Sequence, residues 1–216
     1  GVVIIGTGFA HNCSADGSII VGNMSGPGFS TVWGGPVVEP PVPNVDFLGA
    51  YDITPDGSVI VGNYGYRDGL DDIVCAFRWD TNGIQTLASV TNEGWCNASG
   101  VDSVGAVVCG NAGDVAFRWT ASGGYDELPH LPGIAVPWYM SAGGDEFIGT
   151  YGDYGNGVFR WRLAGGVSVL IEDHPVGYGN KVSLSPDGVV AAGLGPPGLS
   201  HAVTWDPNDI PRSVRD

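Results

Sequence analysis

A chain of 216 residues with 23 acidic and 8 basic side chains carries a formal charge of −15, a surface that repels phosphate backbones and anionic headgroups. Nucleic-acid and anionic-membrane binding are therefore poor functions for it. Hydrophobic residues make up 43% of the chain, enough for a packed core, while 37 glycines and 15 prolines without a collagen-like period point to many tight turns between short strands. No apolar run approaches the ~20 residues of a membrane-spanning helix. A chain that opens at Gly1 without Met or a leader reads as a mature or trimmed product.

The first element is VVII at 2–5, a short strand with no unit of its own to complete. The phrase SADGSIIVGN at 14–23 follows and returns almost unchanged as TPDGSVIVGN at 54–63. Looser copies stand at 103–111 (SVGAVVCGN), 142–150 (AGGDEFIGT) and 185–194 (SPDGVVAAGL). Every copy keeps two glycines five apart, beginning with Gly17/Gly22 and Gly57/Gly62, and the first glycines recur at intervals of 39 to 48 residues. A second phrase ending in tryptophan follows each copy, at Trp33, Trp79, Trp119, Trp161 and Trp205. Two markers in step five times establish an internal repeat.

Each unit reads as four short strands. Asp-Gly supplies a tight hairpin turn between the first two. The AFRW phrase alternates apolar and polar residues as a half-buried third strand. A further turn such as TNG or ASGG leads to a fourth: IQTL at 84–87, YDEL at 125–128 and VSVL at 167–170. With no helical period anywhere, the expectation is an all-β, five-bladed β-propeller of four-stranded antiparallel blades in one domain. The blades span 6–38, 39–87, 88–128, 129–170, and 171–206 joined by 1–5. The strand at 2–5 closes the ring as outer strand of the last blade, which removes an exposed sheet edge. Residues 207–216 form a C-terminal tail that could reach a neighbouring subunit, although IPRSV could supply the closing strand instead.

The combination of DGS-x-x-VG at 56–62 with CAFRW at 75–79, VAFRW at 115–119, GVFRW at 157–161 and HAVTW at 201–205 resembles the HAF-type extracellular repeats of bacterial surface and autotransporter-like proteins. The resemblance spans essentially the whole chain and is clearest in the second and third units. Unit one has no arginine before its tryptophan, and unit five has Thr204 there. The resemblance implies an exported propeller and carries no catalytic residue across.

Repeated residues serve repeated structure. The turn aspartates Asp16, Asp56 and Asp187 belong to hairpins, the tryptophans pack between blades, and Arg78, Arg118 and Arg160 stack on a neighbouring blade or pair with a carboxylate. Function belongs where the units differ. The stretch YGYRDGLDDIVC at 64–75 gathers Tyr64, Tyr66, Arg67, Asp68, Asp71 and Asp72, a set suited to a sugar or, weakly, to Ca²⁺. Trp95 and the pair Trp138–Tyr139 are unrepeated aromatics ahead of hairpins. Carboxylates not shared between copies are Glu93, Glu127, Asp145, Glu146, Glu172 and Asp173, and no local motif singles out an acid–base pair. The histidines (His11, His130, His174, His201) show no triad signature. Cys96 and Cys109 flank a turn near 102–105 and are expected to form a disulfide, leaving Cys13 and Cys75. The sequons at Asn12, Asn23 and Asn97 matter only in a glycosylating host. No cofactor is expected. The leading expectation is a non-catalytic extracellular propeller, structural or adhesive at the cell surface, with protein partners or self-assembly. A carbohydrate-binding propeller is the alternative, and a glycoside hydrolase a weaker one.

Overall fold

The computed structural model describes residues 8–24, 45–91, 94–153, 157–171, 182–194 and 202–213, and every regular element in them is a β-strand. Strands β1 (Gly8–Cys13) and β2 (Ile20–Met24) pair as one antiparallel sheet. The second sheet runs β3 (Phe47–Ile53), β4 (Ile60–Asp68), β5 (Asp71–Asp80) and β6 (Gly83–Thr91) in chain order. The third comprises β7 (Cys96–Val101), β8 (Val107–Ala112), β9 (Val115–Thr120) and β10 (Gly124–Glu127). The fourth comprises β11 (Val136–Met140), β12 (Glu146–Tyr151), β13 (Gly157–Arg162) and β14 (Gly166–Ile171). The fifth comprises β15 (Val182–Leu184), β16 (Ala191–Leu194), β17 (Ala202–Trp205) and β18 (Pro211–Ser213). All pairings are antiparallel meanders, as the repeat requires. β6 and β14 run past the expected unit boundaries at 87 and 170, to Thr91 and Ile171.

The outer place beside β17 belongs to β18 and not to the strand expected at 2–5, which lies outside the described residues. The reason is local. Asp206 accepts the amides of Asn208 and Ile210 on one carboxylate oxygen, and Asp209 adopts a left-handed φ of 61°. The chain thus reverses after Trp205 and lays 211–213 back on β17, with Pro211 opening an edge strand where its missing N–H does no harm. Over these residues the expected free tail is part of the sheet.

The hairpin turns follow one design. Gly57 has φ +75°, and the first glycine of every other copy lies between +68° and +74°. The aspartate serves as acceptor and not as a second left-handed residue. Asp56 Oδ1 takes the Thr54 hydroxyl (2.7 Å) and the Ser58 hydroxyl and amide (2.7 and 3.0 Å). These donors hold the Asp56 carboxyl at about 2, with the Thr54 hydroxyl foremost. Asp16, led by the Ser18 amide, also sits at about 2. Carboxyls held below their unfolded value stabilise the fold fully above about pH 4 and lose that contribution as pH falls toward about 2. The melting temperature should fall across this window. Asp56→Asn, which keeps an acceptor but cannot titrate, should flatten the slope in thermal melts taken at stepped pH.

Adjacent sheets are joined through turns and cores. The Ala15 amide donates to the Pro55 carbonyl (2.8 Å), Ser103 to Ala142 (2.9 Å), and Ala142 to Pro186 (2.7 Å). The tryptophans pack between sheets as expected. Trp119 meets Val59 and Val61 of the second sheet and Val108 of its own. Trp161 closes a cluster with Cys109 and Ala116, and Trp205 one with Ile148 and Val158. The arginine of each phrase reaches forward to the following sheet. Arg78 lies 6.0 Å from the Trp119 ring and donates to the Gly105 carbonyl, and Arg118 lies 5.6 Å from Trp161. Arg160 donates to the Gly188 carbonyl and pairs with Glu146.

Candidate functional site

The second glycine of each repeat does not end its strand; Gly22, Gly62, Gly110 and Gly149 all lie inside the second strands. Opposite each of them the first strand carries a β-bulge. The ladder skips one residue between Ala10 and Asn12, Ala50 and Asp52, Ala98 and Gly100, and Pro137 and Tyr139. A Cβ on the facing glycine would overlap the carbonyl oxygen of Phe9, Gly49, Asn97 or Val136, so only glycine lets the two backbones approach this closely. A bulge re-aims the side chain that it leaves unpaired. Those residues are His11, Tyr51, Ser99 and Trp138, four different chemistries on one repeated backbone device.

All four line one cavity of about 710 Å³. Each of the five sheets contributes its first strand to the wall, with Leu184 representing β15. The cavity extends along these strands from Trp95 and Ile134 at their beginnings to the turns at Pro55, Ser103, Ala142 and Pro186. The aromatic surface is well positioned. The Trp138 indole N–H donates to Thr150 Oγ1 (2.9 Å), which sets the ring plane, and the His11 and Tyr51 rings lie 5.1 Å apart. Tyr139 and Trp95 remain 46% and 65% exposed. Partial burial holds the His11 imidazole below its ordinary range.

Polar groups complete the wall. Asp52 is the carboxylate of the described lining. Its Oδ1 accepts Asn12 Nδ2 (2.5 Å) and the Ile53 amide (2.9 Å), and its Oδ2 accepts the Val101 amide of β7 (2.8 Å). Burial pushes the Asp52 carboxyl upward against these bonds. Behind the wall a carboxamide chain runs from Asn63 to Asn97 (2.7 Å), Asn97 to Asn111 (3.2 Å), and Asn111 to the Trp95 and Gly113 carbonyls. Asn63 and Asn111 are the residues after the repeat's second glycine, and their burial explains why a strand otherwise apolar keeps asparagine there. The sequon residues Asn12 and Asn97 are committed to these bonds.

The expected site at 64–75 is built differently. The residues form the extended ends of β4 and β5, joined through Gly69 (φ +66°), and not an open loop. Tyr64 is buried and hydrogen-bonds Thr86 (2.8 Å), with Tyr66 stacked on it at 6.2 Å. Arg67 and Asp72 make an exposed 2.8 Å pair of the kind that contributes little, and Asp68 faces Asp71 at the hairpin tip. None of the six lines the cavity. No group of three or more His, Cys, Asp or Glu that could hold a metal occurs among the described residues. Trp95, Trp138 and Tyr139, the unrepeated aromatics of the sequence, are brought together in the cavity.

The expected Cys96–Cys109 pairing does not form: all four cysteines are free. Cys96 faces Ala112 and Cys109 faces Gly100, because the hairpin turns between Val101 and Val108, later than the midpoint of the two cysteines. Burial raises Cys96 to about 11 and Cys109 further still. Among the single carboxylates, Glu146 is tied to Arg160 (2.6 Å) and Asp145 to the Ser141 hydroxyl (2.7 Å). Glu93, Glu172 and Asp173, with His174 and His201, lie outside the described residues.

No protein-family model and no curated protein sequence matches the chain. Solved structures do. TolB from Acinetobacter baumannii superposes with a TM-score of 0.53 at 13% identity, over 91% of this chain and 51% of that one. A TolB-type protein from Agrobacterium tumefaciens gives 0.58 at 15% identity, over 97% of this chain and 81% of its own. The fold is a β-propeller. The first strands of its sheets, β1, β3, β7, β11 and β15, all contribute to the cavity wall. The chain spans about half the length of the Acinetobacter protein, and at such identity the likeness concerns fold alone.

Proposed function

We propose that this is an exported, non-catalytic adhesive propeller that holds a saccharide in its central channel. The observation that carries the reading is the set of inner-strand bulges, which turn His11, Tyr51, Ser99 and Trp138 into one cavity beside Asn12, Asp52 and Asn97. Indole and phenol faces stack on the apolar faces of sugar rings, while fixed carboxamide, hydroxyl and carboxylate groups accept and donate to ring hydroxyls. The non-catalytic reading rests on the described lining, which offers one carboxylate where glycoside hydrolysis uses two. The likeness of the DGS and AFRW phrases to HAF-type extracellular repeats supports an exported, surface-displayed protein. Self-assembly has no comparable observation behind it, since the tail residues 211–213 are engaged in the fifth blade.

A glycan array followed by calorimetry tests the proposal. Binding should weaken about tenfold or more in Trp138→Ala, which removes one stacking face, and should survive Tyr66→Ala on the hairpin. A blank array contradicts the reading, as does binding that is lost in Tyr66→Ala and kept in Trp138→Ala.

A further inference from the structure

Resting on that reading, we propose that the channel selects a cationic saccharide, an oligosaccharide bearing a free amino group whose ammonium sits among the aromatic rings against Asp52. The carboxylate geometry comes first. Each carboxylate oxygen offers two acceptor positions. Asp52 Oδ1 has both filled, by Asn12 Nδ2 and the Ile53 amide, whereas among the described residues Oδ2 takes the Val101 amide alone, which leaves an acceptor position on a carboxylate of the cavity lining. Its three donors come from β1, β3 and β7, so the open acceptor is held in place by three blades without a ligand. Little ordering remains to be done on binding.

The surroundings favour a cation at that acceptor. His11, Tyr51, Trp138 and Tyr139 line the same cavity, and the faces of tyrosine and tryptophan rings attract an ammonium through their quadrupoles. No lysine or arginine stands in the described lining. Arg67, Arg78, Arg160, Arg162 and Arg212 are paired with carboxylates elsewhere, and Arg118 lies on the Trp161 ring. The whole chain carries −15, a field that draws cations to the channel and turns anions away. A neutral sugar offers Oδ2 a hydroxyl and no charge. An amino sugar adds a charge-assisted hydrogen bond to Oδ2. An incoming ammonium also relieves the burial that raises the Asp52 carboxyl.

The test is calorimetry on the full chain with three trisaccharides: glucosamine units, their N-acetylated counterparts, and galacturonic acid units, at about pH 6 where the amine is protonated. The expected result is that the amine form binds about tenfold or more tightly than the acetylated form, that added salt narrows the gap, and that the uronic form does not bind. Asp52→Asn should bring amine and acetylated forms to within about twofold of each other, the amine form losing the more affinity. Should that variant fail to fold for loss of the Ile53 and Val101 contacts, the wild-type comparison decides by itself. An acetylated or uronic trisaccharide bound as tightly as the amine form overturns the inference and leaves the saccharide reading standing. Binding of other glycans but none of the three does the same. A blank result across the array and all three defeats both.

Discussion

Gly62→Ala should destabilise the protein by about 3 kcal/mol or more, read as an earlier midpoint in urea unfolding. Gly62 has no left-handed φ, so its backbone alone would accept alanine. What forbids the methyl is the inner strand. A Cβ there would overlap the Gly49 carbonyl oxygen and lie within 3.0 Å of Ala50 Cα, both backbone atoms that no rotamer change can move. Relief requires opening the β3–β4 ladder at the bulge that presents Tyr51 and Asp52. Gly17→Ala makes the contrast: nothing lies within 4 Å of its Cβ and only its φ of +68° resists. That change should cost about 1–2 kcal/mol. If Gly62→Ala unfolds at the wild-type midpoint, or Gly17→Ala proves the more damaging, the close-approach account of the repeated second glycine is wrong.

Arg160→Met should cost about 3 kcal/mol and should loosen the fifth blade before the others. The Arg160 side chain is fully buried, pairs with Glu146 at 2.6 Å and donates to the Gly188 and Asp206 carbonyls. Glu146 and Asp209 are each about a fifth exposed, which leaves them some access to water and places the cost at the lower end for a broken buried pair. Methionine fills much of the volume but leaves two carbonyls of the fifth blade without their donor. Hydrogen exchange should therefore rise in β15 to β18 before β7 to β10. Arg67→Met, which removes an exposed pair, should leave the unfolding midpoint close to that of the wild type. Equal effects at the two positions would contradict the account.

The architecture was legible because it is written five times. The paired glycines and the AFRW phrase mark turns and third strands wherever the structure describes them, since a hairpin and a half-buried strand depend on residues only a few apart. The reach of Arg78, Arg118 and Arg160 to a neighbouring blade was legible too, because three copies set arginine beside the repeated tryptophan. The channel was not. The bulges lie opposite the second glycines, whose close approach to the first strand no local phrase shows, and the bulged residues share no letter: His11, Tyr51, Ser99 and Trp138 are aligned by backbone register alone. The stretch 64–75 shows its aromatics and carboxylates as local composition, and only pairing shows that Tyr64 points to Thr86 and Arg67 to Asp72. The cysteine midpoint failed because the hairpin turns between Val101 and Val108, later than the midpoint between the two cysteines. The closing strand of the fifth blade turned on Asp206 and Asp209, whose turn chemistry is present in DPNDI but was read as a tail. A signal was available for the site: the residues five and six before each DG turn, His11–Asn12 and Tyr51–Asp52, differ where the flanking phrase is constant.

The most direct test of the channel as the binding site is a crystal structure of the protein with a bound oligosaccharide from the array. The account predicts a sugar ring within the central channel against Trp138 and Tyr139, with a donor on Asp52 Oδ2. A sugar seated on the hairpin at Tyr66 and Arg67, with the channel holding water alone, would contradict it.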